Sequence, residues 1–144
     1  MLVRIFKTKT LAKFTRQHGI SDAALVEAID RAKRGQIDAD LGGKVIKQRV
    51  ARPGQGKRGG FRMLIGFGSE RAVYLFAFAK NERENISNGE LLSLREIAAS
   101  FLDASKEKIA QALSDGTLIE VHNGNESKKG KDQSAQQGAA GNGE

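Results

Sequence analysis

The sequence predicts an α+β domain in which one strand, two helices, three strands and a further helix build a small, mostly antiparallel sheet packed on helices. Three observations carry that expectation. Apolar residues recur at helical spacing near residues 25–32 and 91–101, the spacing switches to strict alternation between 45 and 67, and large apolar residues nearly vanish after His122. A short helix at 105–114 extends the order.

The elements follow in turn. Residues 2–6 read as a strand, and 7–18 as a short helix stopped by Gly19. Ser21 suits an N-cap, since its hydroxyl can accept from an unpaired backbone N–H, and Leu25, Ala28, Ile29 and Ala32 then lay one apolar stripe on a second helix ended by Gly35. A turn-rich link spans 37–43. From 45 to 52, Ile46, Gln48 and Val50 share one face while Lys47, Arg49 and Ala51 share the other. From 61 to 67, Phe61, Met63, Ile65 and Phe67 oppose Arg62, Leu64 and Gly66. On this pattern the helices cover one side of the sheet and the cations point away. Residues 72–80 are almost wholly apolar, as expected of a central strand buried on both sides, and a short connection at 68–71 joins them to the strand before. Ser87 and Glu90 match a capping box ahead of a helix striped by Leu91, Leu94, Ala98 and Phe101. Leu118 to Val121 gives a brief strand signal. The domain is thus expected over 1–121, with 122–144 a disordered polar tail whose Gly, Asn, Ser, Gln and Lys cannot bury enough surface to offset the entropy of ordering.

With 144 residues the chain suits one domain of modest core. It contains no cysteine and no long apolar stretch, which argues against a disulfide framework and a membrane partner and leads to the expectation of a reducing, cytoplasmic setting. The net charge of +7 is unevenly spread. Residues 44–80 hold nine Lys/Arg against one acid, together with five of the eight aromatics, whereas 81–144 hold seven against eleven. A basic strand-rich segment can bring several cations to one polyanion, as scattered surface lysines cannot.

Gly54-Gln55-Gly56-Lys57-Arg58-Gly59 satisfies the literal G-x-G-x-x-G pattern. A dinucleotide site needs that loop to open a helix whose N-terminus receives the pyrophosphate, and here a strand follows; no cofactor is expected. The same loop can serve a nucleic acid, since glycines let backbone N–H groups approach phosphate oxygens and Arg52, Lys57 and Arg58 add charge. An ordinary flexible hairpin loop accounts for it equally well. No metal site is expected: there is no cysteine, and His18 and His122 lie at a helix end and near the tail.

Lys47, Arg49, Arg62 and Lys80 form a cationic constellation on neighbouring strands. Cleaving RNA without a metal requires an activated 2′-OH, a protonated 5′-oxygen and stabilised charge on phosphorus. Arginine, always protonated, can clamp the phosphate and stabilise that charge. A lysine crowded by like charges loses proton affinity, so Lys47 or Lys80 is a candidate base or acid. Phosphate binding without chemistry is equally consistent with these residues.

Lys47-Gln48-Arg49-Val50-Ala51, the glycine-rich loop, Gly59-Gly60-Phe61-Arg62 and Phe78-Ala79-Lys80-Asn81-Glu82 together resemble the core of RelE/HigB-type toxins, over roughly residues 2–102. The resemblance implies a type II toxin that enters the ribosome and cuts mRNA by in-line attack of the RNA's own 2′-OH. It also implies a cognate antitoxin of helix-turn-helix type, with operator DNA contacted only through the antitoxin complex. By position, Arg62 matches the strand arginine after the glycine pair, Lys80 the polar end of the last core strand, and Lys47 and Arg49 the basic second strand. The sequence departs from members that carry a catalytic tyrosine near the C-terminus, since Tyr74 lies inside a core strand, so the general acid and base stay unassigned. Two rival readings are a gyrase-directed toxin of the ParE type and a non-enzymatic RNA-binding regulator. Truncation after Val121 should leave the thermal midpoint within about two degrees of the full chain, as for any solvent-exposed terminus; calorimetry of the two forms checks this.

Overall fold

The computed structural model describes residues 2–52, 56–79 and 86–122, without the side chains of 52 and 56–59. Its elements are β1 (Arg4–Thr8), α1 (Lys9–His18), α2 (Asp22–Lys33), β2 (Ala39–Asp40), β3 (Val45–Arg52), β4 (Gly56–Phe67), β5 (Arg71–Ala79), α3 (Asn88–Leu102), α4 (Lys106–Ser114) and β6 (Leu118–Val121). Each helix begins where a hydroxyl can satisfy a free N–H: Thr8, Ser21, Ser87 and Ser105 accept from Leu11, Ala24, Glu90 and Lys108. Ser87 and Glu90 complete the expected capping box. Lys7 and Thr8, expected in the first helix, belong to β1 instead, because Thr8 is the cap at which the helix starts.

The strands form one six-stranded sheet ordered β2-β3-β4-β5-β1-β6. Every neighbouring pair is antiparallel except β1 and β5. That parallel pair is reached by the long excursion of the chain through α1, α2 and the β3–β4–β5 meander.

Helices lie on both faces of the sheet, not on one. Leu11 of α1 and Leu25, Ala28, Ile29 and Ala32 of α2 pack with Ile46, Val50, Phe61, Met63, Ile65 and Tyr74. Ala98 of α3 and Ile109 and Ala112 of α4 pack with Phe6, Val45, Leu64, Val73, Leu75 and Phe78 on the other side. The reason lies in β5, whose side chains are apolar in both directions, so covering only one face would leave Val73, Leu75 and Phe78 in water.

The link at 37–43 is more ordered than its turn-rich composition suggests. Ala39 and Asp40 pair with Lys47 and Ile46, making β2 a two-residue edge strand. Gly42, Gly43 and Lys44 then all take positive φ (83°, 61° and 64°). Arg95 of α3 lies over this turn and donates to the Leu41 carbonyl, so close that a Cβ on Gly43 would fall 2.8 Å from its side chain.

Gln48 is fully buried in an otherwise apolar row. Its amide donates to the carbonyls of Ala28 (2.9 Å) and Gln36 (3.2 Å) and its oxygen accepts from the Asp38 N–H (3.0 Å), joining β3 to α2 and the link. Replacing Gln48 by Leu removes all three bonds and strands the Asp38 N–H, at a cost of about 2 kcal/mol. Chemical denaturation of Gln48→Leu should show that loss.

Candidate nucleic-acid interface

Strand parity places the cations. The carbonyl of Val45 accepts from Leu41 on the β2 side while that of Lys44 accepts from Phe67 on the β4 side, so the backbone groups of Arg49 also point outward. Arg49 stands directly opposite Arg62. They therefore form a non-hydrogen-bonded pair, the type in which facing residues sit closest, with α-carbons about 4.5 Å apart. Both side chains leave the sheet on the α3 face, opposite Val50, Phe61 and Met63, as the alternation of 45–52 and 61–67 predicts.

A three-strand row runs Arg49, Arg62, Phe78, and the next row runs Lys47, Leu64, Phe76. Cations lie toward the edge and aromatics toward the middle; the rings of Phe76 and Phe78 are 6.1 Å apart. The two phenylalanines reach this face through a register shift. Leu64 pairs with Phe76 but Ile65 with Tyr74, so Leu75 is an extra residue, and the strand changes phase there. Without that bulge Ala77 and Ala79 would stand here, with the phenylalanines on the α1/α2 side.

α3 covers only the far part of the face, where Gly66 lets Ala98 approach so closely that a Cβ there would lie 3.0 Å from the Ala98 Cβ. Lys47, Arg49 and Arg62 are each half-buried, and among the described residues none of the three is ion-paired. Like charges directly opposite across a strand pair destabilise a sheet by a few tenths to about 1 kcal/mol. An arginine pair without an ion-pair partner among the described residues, with a lysine beside it, can receive an anion, and two guanidinium forks suit the oxygens of a phosphate.

Other expected residues fare differently. Lys80 lies outside the described residues, as do the side chains of Arg52, Lys57 and Arg58. The expected loop is shorter than residues 52–60, because β4 begins at Gly56 and pairs it with Arg52 across a bulge. His18 sits between Phe14 and Phe61, with ring centroids 4.3 and 4.8 Å away, on the face opposite the cations. Tyr74 is also on that side and fully buried, its hydroxyl donating to the Leu25 carbonyl at 2.6 Å. Burial drives its phenol far above the usual range and keeps it protonated. Among the described residues no group of acids and histidines is placed to hold a metal, and no helix is long and apolar enough to cross a membrane. Arg31 and the bulge at Leu75 escaped the sequence reading, because neither leaves a periodic signal.

The family model for the RelE toxin of the RelE/RelB toxin-antitoxin system matches residues 3–121, from the lead into β1 to the last residue of β6. This chain belongs to the RelE toxin family. It is the toxin of a toxin-antitoxin system, and the family implies an antitoxin partner. No curated protein matches the toxin.

Replacing Arg62 by Gln removes one of two repelling charges without opening a cavity, so stability should hold within about 0.5 kcal/mol or rise. RNA binding should weaken, and the slope of log affinity against log salt should flatten by about one unit. Denaturation and a salt titration of the variant check both outcomes.

Proposed function

We propose that the toxin is a ribosome-dependent, metal-independent endoribonuclease that cuts mRNA and so stops translation in the cytoplasm. The observation that carries this reading is the facing pair of Arg49 and Arg62, free of ion pairing among the described residues and flanked by Lys47. In-line attack by a 2′-OH places extra negative charge on the non-bridging phosphate oxygens. Guanidinium groups set side by side by the strand pairing would stabilise that charge with little reorganisation. Lys47, two residues from Arg49 on the same face, is a third cation for the same phosphate or its neighbour. Lys80, which follows the last residue of β5, is the candidate proton carrier in this reading. Arg52, Lys57 and Arg58 are assigned to flanking phosphates, where charge without fixed geometry suffices to hold the strand. The antitoxin, proposed as a helix-turn-helix protein, would bring operator DNA to the pair.

Induced expression of Arg49→Ala, Arg62→Ala and Lys80→Ala should relieve growth arrest, and primer extension on translated mRNA should show cleavage falling by at least about 100-fold for the arginine variants. Unfolding curves must match wild type for the result to count. Cleavage that persists in folded Arg49→Ala and Arg62→Ala would sink the site assignment. Growth arrest by a wild type that leaves mRNA intact would favour the gyrase-directed reading.

A further inference from the structure

Among the described residues, the outer edge of β3 has a strand beside it only at its start. β2 pairs only with Ile46 and Lys47, so beyond Lys47 the outer edge of β3 faces α2 and the link that follows. Arg31 of α2 spans the gap. Its Nε donates to the Glu27 carboxylate at 2.8 Å, and a terminal nitrogen donates to the main-chain carbonyl of Arg49 at 2.5 Å. That carbonyl belongs to a member of the facing arginine pair.

The side chain of Arg49 does little to hold itself in place. Its Nε is buried and has no hydrogen-bond partner. The direction of the guanidinium therefore depends on where the backbone of residue 49 lies. On the inner side, regular pairing with β4 is interrupted just past Val50 by the register shift before Arg52. Arg31 supplies a tie on the outer side at the residue where alignment matters most.

We infer that Arg31, braced by Glu27, is a positioning residue for the phosphate site, fixing the β3 backbone at Arg49 and thereby the aim of the Arg49–Arg62 pair. This rests on reading that pair as the phosphate clamp. Arg31 is not itself an anion ligand, since its side chain is only 15% exposed and two of its nitrogens are committed to Glu27 and Arg49. The geometry needs a planar fork with donors in two directions, which a lysine cannot reproduce. A cleft lined by Glu27, Arg31, Asp38, Arg49 and Ala51 lies along this edge, so water can solvate the Arg49 carbonyl once Arg31 is shortened. Order at residue 49 is then lost more than overall stability.

The test combines amide hydrogen exchange with a double-mutant cycle. The proteins are wild type, Arg31→Ala, Arg49→Ala and the double variant, and the binding probe is a fluorescein-labelled RNA oligonucleotide at one fixed low salt. Arg31→Ala should speed exchange of the β3 amides from 48 to 50 by at least about tenfold while leaving β1 and β5 unchanged. It should weaken RNA binding about fivefold when Arg49 is present and less than about 1.5-fold when residue 49 is alanine, because the effect passes through Arg49. Should Arg31→Ala fail to fold, Arg31→Lys retains the charge on a single donor nitrogen, and must show intermediate changes in both readouts. Unchanged β3 exchange overturns the inference, and so does an equal loss of binding in the two backgrounds, which would mark an independent contact or general destabilisation. A wild type that binds no RNA overturns the clamp reading and this inference together; a wild type that binds RNA while β3 exchange is unaffected by Arg31→Ala overturns this inference alone.

Discussion

The antiparallel register of β3 on β4 is the constraint on which the rest of the toxin depends. A slip of one residue would exchange the faces of β3, turning Lys47 and Arg49 into the core under α2 and exposing Ile46 and Val50. Burying unpaired cations costs several kcal/mol each, far more than any single cross-strand contact returns. Gln48 adds a polar marker to the same register, since its bonds to Ala28, Gln36 and Asp38 form only when it faces α2. The apolar row and the cationic row are thus two consequences of one pairing.

That pairing holds two arginines against each other with neither ion-paired among the described residues, an arrangement that weakens the sheet unless an anion arrives. The two cores on either side absorb the cost. Tyr74, Phe61 and Met63 lie under α1 and α2, while Phe6, Leu64 and Val73 lie under α3 and α4, all with essentially no exposed surface. The cationic patch lies where α3 has crossed the sheet at Gly66 and, among the described residues, no helix follows over Arg49 and Arg62. The bulge at Leu75 completes it by placing Phe76 and Phe78 beside the cations, giving the patch an apolar floor in which a bound phosphate would meet less competing water.

Strand phase was legible in the residues alone. The alternation at 45–52 and 61–67 placed Arg49 and Arg62 opposite the core, the unbroken apolar run at 72–79 marked a strand covered on both sides, and Ser87 with Glu90 marked the start of α3. Each is a local property: a period of two or 3.6, or a cap, is set by neighbours within one turn or one pleat. The facing positions of Arg49 and Arg62 followed because both lie on strands with a clear alternation, while the side chains of Arg52, Lys57 and Arg58 and the whole of Lys80 lie outside the described residues.

Tertiary structure alone decided which helices cover which face, that β2 joins the edge, that Leu75 bulges and that Arg31 reaches the Arg49 carbonyl. None of these leaves a periodic trace, because each depends on which distant segments meet. A two-residue strand has no pattern of its own. A bulge inside an all-apolar strand changes the face of each side chain without changing its polarity, so Phe76 and Phe78 read the same in either phase. Arg31 follows Glu27 at ordinary helical spacing and looks like any exposed salt bridge until β3, eighteen residues on, is laid against α2. Sequence by itself determined which way the cations point along each strand; the meeting of elements decided what stands next to them, because adjacency across the sheet and between layers is a matter of three-dimensional packing.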